Sequence, residues 1–203
     1  MKILSLTFSL LFSTLLVGQE EMYNICPIKN SQEIPSVNLM NNEGKEVNLK
    51  ELIGTDPVII VFYRGAWCPY CTRHLSALQD VKSQIDSLGF QLIAITPDHF
   101  TKLDSTTTRT NGLGYQLLSD KNLEAITAFG VGWKVDDELY QKYKDSYGMD
   151  TEWWSGSKHH TLPVPAVFIV KNGKIQYQHV NPNYAKRLAS SVLLSLLKAV
   201  KDE

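Results

Sequence analysis

Cys68 and Cys71 lie where an apolar run of the sequence passes into a helical pattern. The stretch "VFYRGAWCPYC" places both sulfurs at the start of that helix, with two residues between them. A pair of this kind can bind a metal, form a structural disulfide, attack a disulfide or attack a peroxide. The neighbouring residues, the compartment and the fold decide among these four chemistries.

A cysteine at a helix N-terminus favours the thiolate, because unpaired backbone N–H groups and the positive end of the helix dipole face it. Arg64, Arg73 and His74 lie close in sequence and are candidates to strengthen that field. A pKa lowered by two units speeds attack only about two- to threefold, since nucleophilicity falls with the pKa. A lowered pKa gives a larger rate increase when the sulfur is the leaving group of a disulfide exchange. A C-x-x-C pair supplies both roles, so the pattern favours redox chemistry.

The metal and structural-disulfide alternatives have less support. Zinc needs four ligands, and the sequence has no second C-x-x-C. His159 and His160 could complete a site, but adjacent residues on a strand point to opposite faces. A structural disulfide across so short a loop removes little chain entropy. We therefore expect no metal and no organic cofactor, and we interpret Cys26 as an unpaired bystander.

The N-terminus has the order of a secretory signal peptide. One lysine precedes an apolar run from Ile3 to Val17, which is short for a membrane span, and a small polar exit follows. We predict a signal peptide over residues 1–19, with an uncleaved anchor as the alternative, and an exported protein that is periplasmic or secreted. In an oxidising compartment a close cysteine pair stays reduced only if a donor keeps it so.

The remaining length suits a single domain. A polar lead over residues 20–35 precedes a domain over 36–203, with a polar and aromatic insertion at about 130–161. The net charge of −1 gives no electrostatic reason to expect a nucleic acid or an anionic membrane as partner.

Strand and helix patterns alternate along the chain, which predicts an α/β layered sheet. "PVIIVFY" and "FQLIAITPD" are typical of buried strands, and two short strands surround "NNEG". Leu75 to Leu88 follow helical spacing until Gly89. Asn172-Gly173 predicts a hairpin turn, and an amphipathic helix is expected from Tyr184 to Val200.

The motifs "FYRGAWCPYC", "LIAITPD", "LLSDKNLEAITAFGV" and "LPVPAVFIVKNGKI" together resemble the peroxiredoxin-like branch of the thioredoxin-fold superfamily. This branch is the alkyl hydroperoxide reductase and thiol-specific antioxidant group. The resemblance covers nearly the whole chain after the lead, apart from the insertion. It implies a thioredoxin-like α/β fold in which helices flank a central mixed sheet, with an N-terminal β-hairpin arm.

The family motif P-x-x-x-[Thr/Ser]-x-x-Cys matches this chain only in part. It places the peroxidatic cysteine on Cys71, the hydroxyl position on Cys68 and the proline on Arg64, while the peroxide-binding arginine falls on Pro165. A thiol donates hydrogen bonds more weakly than a hydroxyl, and breaking an O–O bond needs donors at the departing oxygen. Arg64 or His74 are the candidates to replace them.

Pro165 lies where thioredoxins have a cis-proline facing the C-x-x-C. The resemblance therefore implies a cis Val164–Pro165 bond, and an ordinary strand-entry proline is the alternative. We also expect Trp67, Pro69 and Tyr70 to shape the rim of the site.

Two enzymatic mechanisms remain open. In the first, the Cys71 thiolate attacks a hydroperoxide and becomes a sulfenic acid, Cys68 condenses with it to a disulfide, and a thioredoxin-type donor reduces that bond. In the second, Cys68 attacks a protein disulfide and Cys71 resolves the product. A third, non-enzymatic possibility is a binding domain on a thioredoxin scaffold. The resemblance favours the antioxidant peroxidase.

Overall fold

A mixed sheet forms the centre of the molecule. The computed structural model describes Met22 and residues 24–202, so the predicted signal peptide lies outside the described residues. Within that part of the chain the sheet has seven strands. From one edge to the other they are β2 (Glu46–Asn48), β1 (Asn38–Met40), β5 (Gln116–Ser119), β4 (Gln91–Thr96), β3 (Val58–Phe62), β8 (Ala166–Lys171) and β9 (Lys174–Val180).

The middle strand of the sheet is buried on both faces, as the sequence predicts. β3 reads VIIVF, and all five of its residues are buried. It pairs in parallel with β4 and antiparallel with β8, and β4 pairs in parallel with β5. Burying a large apolar side chain stabilises a fold by roughly 1.5–3 kcal/mol. The sheet is therefore a firm base for the residues that follow the carboxyl ends of β3 and β4.

Both edges of the sheet are hairpins that the sequence predicts. β1 and β2 form the N-terminal hairpin arm, which joins the sheet where Met40 pairs with Ser119. β8 and β9 form the other hairpin, and both residues of its turn, Asn172 and Gly173, have positive φ. An Asn-Gly pair adopts that backbone at little cost, which explains its presence in the turn.

Helices connect the strands and close the fold. They are α1 (Leu49–Ile53), α2 (Pro69–Asp80), α3 (Lys82–Ser87), α4 (Leu103–Arg109), α5 (Glu124–Ala128), α6 (Asp137–Tyr147), α7 (Thr151–Ser155) and α8 (Ser190–Asp202). A 3₁₀ turn (Phe100–Lys102) precedes α4. Over the described residues, no helix combines the length and the apolar character needed to cross a membrane.

The segment predicted as an insertion carries α6 and α7 above a small two-stranded ladder. β6 (Gly132–Lys134) pairs antiparallel with β7 (Thr161–Pro163) and closes the base of the segment. His160 connects the two helices: its Nε2 lies 2.8 Å from the Glu152 Oε1, and its ring stacks on Tyr140 at 4.0 Å. These contacts hold α6 and α7 together.

Two predicted helices have different bounds in the structure. The apolar pattern from Leu75 to Leu88 is split at Val81, which bonds to the carbonyl of Leu78 and separates α2 from α3. The C-terminal helix begins at Ser190 rather than Tyr184. Asn181 and Asn183 accept hydrogen bonds from backbone N–H groups two residues further on, and such local bonds compete with helix formation.

The expected cis Val164–Pro165 bond is wrong, because no peptide bond in the described part of the chain is cis. The Val164 N–H donates to the Val131 carbonyl, and the Pro165 carbonyl accepts from the Asn181 N–H. These bonds continue the pairing of the flanking strands. An extended trans backbone therefore gives both the Val164 N–H and the Pro165 carbonyl a hydrogen-bond partner.

Gly130 offers a test of how tightly the N-terminal lead packs against the domain. A Cβ at Gly130 would collide with the carbonyl of Cys26, whereas a Cβ at Gly148 would meet nothing within 4 Å. Both glycines have nearly the same positive φ. Gly148→Ala should therefore lower the free energy of unfolding only by the cost of a left-handed backbone, roughly 1–2 kcal/mol. Gly130→Ala should lower the free energy of unfolding by about 1–3 kcal/mol more, because of the clash with the Cys26 carbonyl.

Urea unfolding of the two variants and the parent chain measures this difference in the free energy of unfolding. Equal losses in the two variants would show that the lead does not pack on Gly130 as described.

Candidate active site

Cys68 and Cys71 meet at the junction of β3 and α2, as the sequence predicts. Cys68 is the N-cap residue of α2, and Pro69 takes the first helical position. The Cys68 carbonyl accepts the N–H of Cys71 at 2.9 Å and that of Thr72 at 3.1 Å. Proline suits this position because its fixed φ is helical and it lacks an N–H that would be unpaired there. Both sulfurs are free thiols.

Asp98, at the carboxyl end of β4, holds the loop that leads into α2. Its Oδ2 accepts the N–H of Ala66 at 3.1 Å, and its carbonyl accepts the Ser119 hydroxyl at 2.6 Å. Gly65 has φ +150°, and a Cβ there would collide with the Trp67 indole and also lie 2.8 Å from the Asp98 Oδ1. Burial raises the pKa of the Asp98 carboxyl to about 7. The close approach of loop and carboxyl therefore requires the glycine.

Cys68 faces a partly open cavity of about 430 Å³. Only 2% of the residue is exposed, so its contact with solvent runs through that cavity. Its pKa is lowered to about 6, first by a hydrogen bond from the Cys71 thiol and then by the positive charges of Arg64 and Arg187. At neutral pH the Cys68 sulfur is therefore mainly a thiolate.

Cys71 lies deeper than Cys68 and does not line the cavity. Burial raises its pKa well above the ordinary value, and the hydrogen bond to Cys68 and the nearby Cys68 charge act in the same direction. The two sulfurs therefore divide the chemistry, since Cys68 carries the negative charge and Cys71 keeps the proton.

Arg64 brings a buried guanidinium to the wall of the cavity. Its Nη2 donates to the Tyr143 hydroxyl at 2.9 Å. Its Cζ lies 4.9 Å from the ring centre of Trp67 and 5.0 Å from that of Tyr184. Within the described residues its Nε has no hydrogen-bond partner. A desolvated cation with a spare donor can stabilise negative charge on a small molecule in this cavity.

Five of the side chains that line the cavity are aromatic. Tyr143 and Tyr147 reach it from α6, Tyr70 from the first turn of α2, and Tyr184 from the segment before α8. Tyr70 and Tyr184 pack edge to face at 5.7 Å. Charged residues of the insertion also line it: Asp136, Glu138 and Lys142. The cavity thus combines aromatic and charged side chains, with Cys68 and the Arg64 guanidinium among them.

A second guanidinium approaches the pair from the far end of the chain. Arg187 Nη2 lies 3.5 Å from the Cys71 Sγ, and the residue is half-buried. His74 follows Cys71 on α2 by three residues, but burial and the neighbouring Arg187 charge lower its pKa to about 4. His74 is therefore a neutral neighbour and does not line the cavity.

The structure brings together most of the residues predicted around the cysteines. Four predicted supporting residues line the cavity: Arg64, Trp67, Pro69 and Tyr70. Pro165 is buried and does not line it, so its predicted role opposite the sulfurs has no support in the geometry.

Sequence reasoning missed Tyr143, Tyr184 and Arg187. Tyr143 belongs to a helical stripe with Tyr140 and Tyr147 that signals a buried face, but nothing in that spacing points to Arg64. Arg187 is 116 positions from Cys71. Contacts over such a distance arise from the fold and leave no local signal.

Comparison with known proteins connects this site to a family. A model described as "AhpC/TSA family" matches residues 31–178. The chain is 34% identical over 105 residues to a putative peroxiredoxin bcp of Haemophilus influenzae and 30% identical over 105 residues to peroxiredoxin Bcp of Escherichia coli. Each match covers 52% of this chain and 66% of the relative, so the chain spans about two thirds of the length of these relatives.

Solved structures show the same fold. Reduced Prx3 from Vibrio vulnificus is similar with a TM-score of 0.69 at 14% identity, over 84% of this chain and 99% of that one. Peroxidoxin BcpB from Mycobacterium tuberculosis has a TM-score of 0.64 at 19% identity, over 85% and 98%. At these identities the likeness establishes the thioredoxin fold of the peroxiredoxin type.

Titration of the two thiols tests the division of charge between them. In a reduced Cys26→Ser chain, alkylation of Cys68 by iodoacetamide should have a midpoint near pH 6. In Cys71→Ala the midpoint should move up, because the hydrogen bond that lowers the Cys68 pKa most is gone. Peptide mass spectrometry assigns the alkylated sulfur. A midpoint at the ordinary thiol value of about 8.5 in both chains would contradict the arrangement.

Proposed function

We propose that the chain, which belongs to the AhpC/TSA family, reduces hydroperoxides through Cys68 and Cys71. The observation that carries the proposal is the shared cavity, which both the Cys68 thiolate and the Arg64 guanidinium line. A hydroperoxide fits this space and needs both groups, a nucleophilic sulfur and a cation for the departing oxygen.

In the first step the Cys68 thiolate attacks the outer oxygen of the hydroperoxide. An S–O bond forms, the O–O bond breaks, and the electron pair leaves on the other oxygen, which takes up a proton and departs as an alcohol or as water. Cys68 is then a sulfenic acid. Arg64 stabilises the negative charge on the leaving oxygen, and its unpaired Nε supplies a donor.

In the second step the Cys71 sulfur attacks the sulfur of the sulfenic acid. The S–O bond breaks, an S–S bond forms, and the hydroxide leaves as water with the proton of the Cys71 thiol. An external dithiol of the thioredoxin type then reduces the disulfide and returns both thiols.

The geometry favours Cys68 as the attacking sulfur, although the family motif aligns with Cys71. Cys68 lines the cavity and has the lower pKa, whereas Cys71 is behind it and keeps its proton. The proposal thus keeps the peroxidase chemistry that the resemblance implies. It takes Cys68 as the attacking sulfur and Cys71 as the resolving one, the order that the sequence analysis gave for disulfide exchange.

Export belongs to the proposal as well. The predicted signal peptide at residues 1–19 directs the chain to an oxidising compartment. There the disulfide persists unless a dedicated donor reduces it, which explains why the cycle needs an external dithiol.

Disulfide exchange remains the second candidate. The pairing of an acidic outer thiol with a buried inner thiol, seen here in Cys68 and Cys71, also suits attack on a disulfide. A protein disulfide, however, must reach a sulfur on a residue that is 2% exposed. A small hydroperoxide meets no such obstacle, which ranks peroxide reduction first.

Cysteine variants test the proposed order of attack. We expect reduced Cys71→Ser to gain one oxygen at Cys68 within seconds of adding hydrogen peroxide, since the thiolate and Arg64 remain. Cys68→Ser should stay unmodified, because the Cys71 thiol is protonated and enclosed. Rapid quenching followed by intact and peptide mass measures both species.

The rate in Cys71→Ser must exceed that of a free thiol such as glutathione under the same conditions. Oxidation of Cys68→Ser at Cys71 at the wild-type rate would refute the order, and no acceleration in any chain would refute the peroxidase.

The aromatic wall predicts a preference for hydroperoxides with an apolar group. Tyr147 lines the cavity and is 59% exposed, so Tyr147→Ser should leave the fold intact. For cumene hydroperoxide we expect KM to rise roughly three- to tenfold through lost apolar contact. For hydrogen peroxide it should not change. Trp153→Ser is the matched control, since Trp153 is 57% exposed on α7 and does not line the cavity.

Steady-state turnover with a dithiol donor gives kcat and KM for each of the two hydroperoxides in each chain. A parallel loss for both substrates, or an equal effect of Trp153→Ser, would contradict a substrate role for the wall.

A further inference from the structure

We propose that Arg187 is a catalytic residue for the disulfide steps, in which it stabilises Cys71 when that sulfur carries negative charge. The proposal rests on the proposed function and adds to it a division of labour between two guanidinium groups. Arg64 serves the oxygen chemistry in the cavity, and Arg187 serves the sulfur behind it.

The contact that carries this inference is direct. Arg187 Nη2 donates to the Cys71 Sγ at 3.5 Å, a hydrogen-bond distance for sulfur. The opposite edge of the guanidinium is anchored, because Nη1 donates to the Lys186 carbonyl at 2.9 Å and also to the Tyr184 carbonyl. The group is therefore oriented toward the sulfur by its own loop.

The loop itself is fixed on the helix that bears the cysteines. Leu188 is buried in the core, and the Ser190 hydroxyl donates to the Ala77 carbonyl of α2 at 3.0 Å. These two residues, which follow Arg187 in the chain and do not line the cavity, hold its segment in place. A residue from the C-terminal segment thus completes a site that otherwise follows β3 and β4.

Electrostatics supports the division of labour. Both guanidinium groups lower the pKa of both thiols, but Arg187 acts more strongly than Arg64 on Cys71, and Arg64 more strongly than Arg187 on Cys68. His74, beside Arg187, is neutral with a pKa of about 4 and leaves the guanidinium as the local cation.

Cys71 carries negative charge in two steps of the cycle. In disulfide formation its thiol loses a proton as its sulfur attacks the Cys68 sulfenic acid, and water leaves. In recycling, a thiolate of the external dithiol attacks the Cys68 sulfur, the S–S bond breaks, and the electron pair departs on Cys71. The second thiol of the donor then releases Cys68 as thiolate and becomes part of the oxidised donor. The buried Cys71 thiolate has little solvation, so a charged donor at 3.5 Å matters in both steps.

Arg187→Gln should separate the disulfide steps from the peroxide step. In a reduced Cys26→Ser chain given hydrogen peroxide, we expect Cys68 sulfenic acid to form within about threefold of the parent rate. The disulfide should then form roughly tenfold more slowly or worse, so that the sulfenic acid accumulates. Arg187→Lys should restore part of the loss. Rapid quenching and intact mass follow both species.

The matched control is Arg73→Gln. Arg73 lies on the same helix as the cysteines but is exposed, with its Cζ 5.9 Å from the Tyr70 ring centre. It should leave both rates unchanged. Thermal unfolding of each chain confirms folding, and if Arg187→Gln fails to fold, Arg187→Lys carries the comparison at a smaller expected loss.

A second readout does not depend on peroxide. The Cys68–Cys71 disulfide is formed with diamide, and its reduction by dithiothreitol is timed in each chain. We expect Arg187→Gln to be reduced roughly tenfold more slowly, because Cys71 is the poorer leaving group. Parent-like rates in both disulfide steps, or a loss confined to sulfenic acid formation, would overturn the role of Arg187. A parent chain inert to peroxide would refute the proposed function alone, since the dithiothreitol comparison still judges Arg187.

Discussion

The close placement of two buried thiols, Cys68 and Cys71, is the constraint on which this site depends. Two sulfurs this close cannot both be thiolates in a weakly polar interior, because like charges raise one another's pKa. The deeper thiol, Cys71, keeps its proton and donates, and Cys68 takes the charge. This division of charge favours Cys68 as the attacking sulfur of the proposed cycle, and it exists before any substrate is present. Arg64 and Arg187 make this state tolerable by offsetting the loss of solvation.

The fold is arranged to maintain that pair. The fully buried β3 delivers the loop, Pro69 starts α2 at once, and Asp98 fastens the loop from the neighbouring parallel strand. The raised pKa of Asp98, about 7, has a consequence for stability. A carboxyl that binds its proton more tightly in the folded state stabilises the fold at low pH. That contribution is lost as the pH rises through about 7. In neutral solution the buried Asp98 carboxyl therefore makes the fold less stable than it is at low pH.

The sequence predicts the scaffold better than the site. Local sequence patterns predict the buried strand β3 and the Asn172-Gly173 turn. Arg64 could also be predicted near the cysteines, because it lies close to them in the chain. Arg187 and Tyr143 could not, because they reach the site through packing of distant segments. Pro165 shows the opposite error, where a likeness to thioredoxins suggested a cis bond that the local strand pairing replaces with a trans one. The family motif likewise aligns its peroxidatic cysteine with Cys71, whereas the cavity and the order of the two thiol pKa values favour Cys68 in the proposed function.

The most direct test of this account is the pH dependence of the second-order rate constant for hydrogen peroxide, followed by stopped-flow tryptophan fluorescence, to which Trp67 next to Cys68 contributes. If Cys68 is the attacking thiolate, the rate constant rises with a midpoint near pH 6 and is level above it. If the rate constant continues to rise through pH 9, the attacking sulfur does not have a lowered pKa. Cys68 would then not attack as the thiolate described here, and the central claim would be wrong.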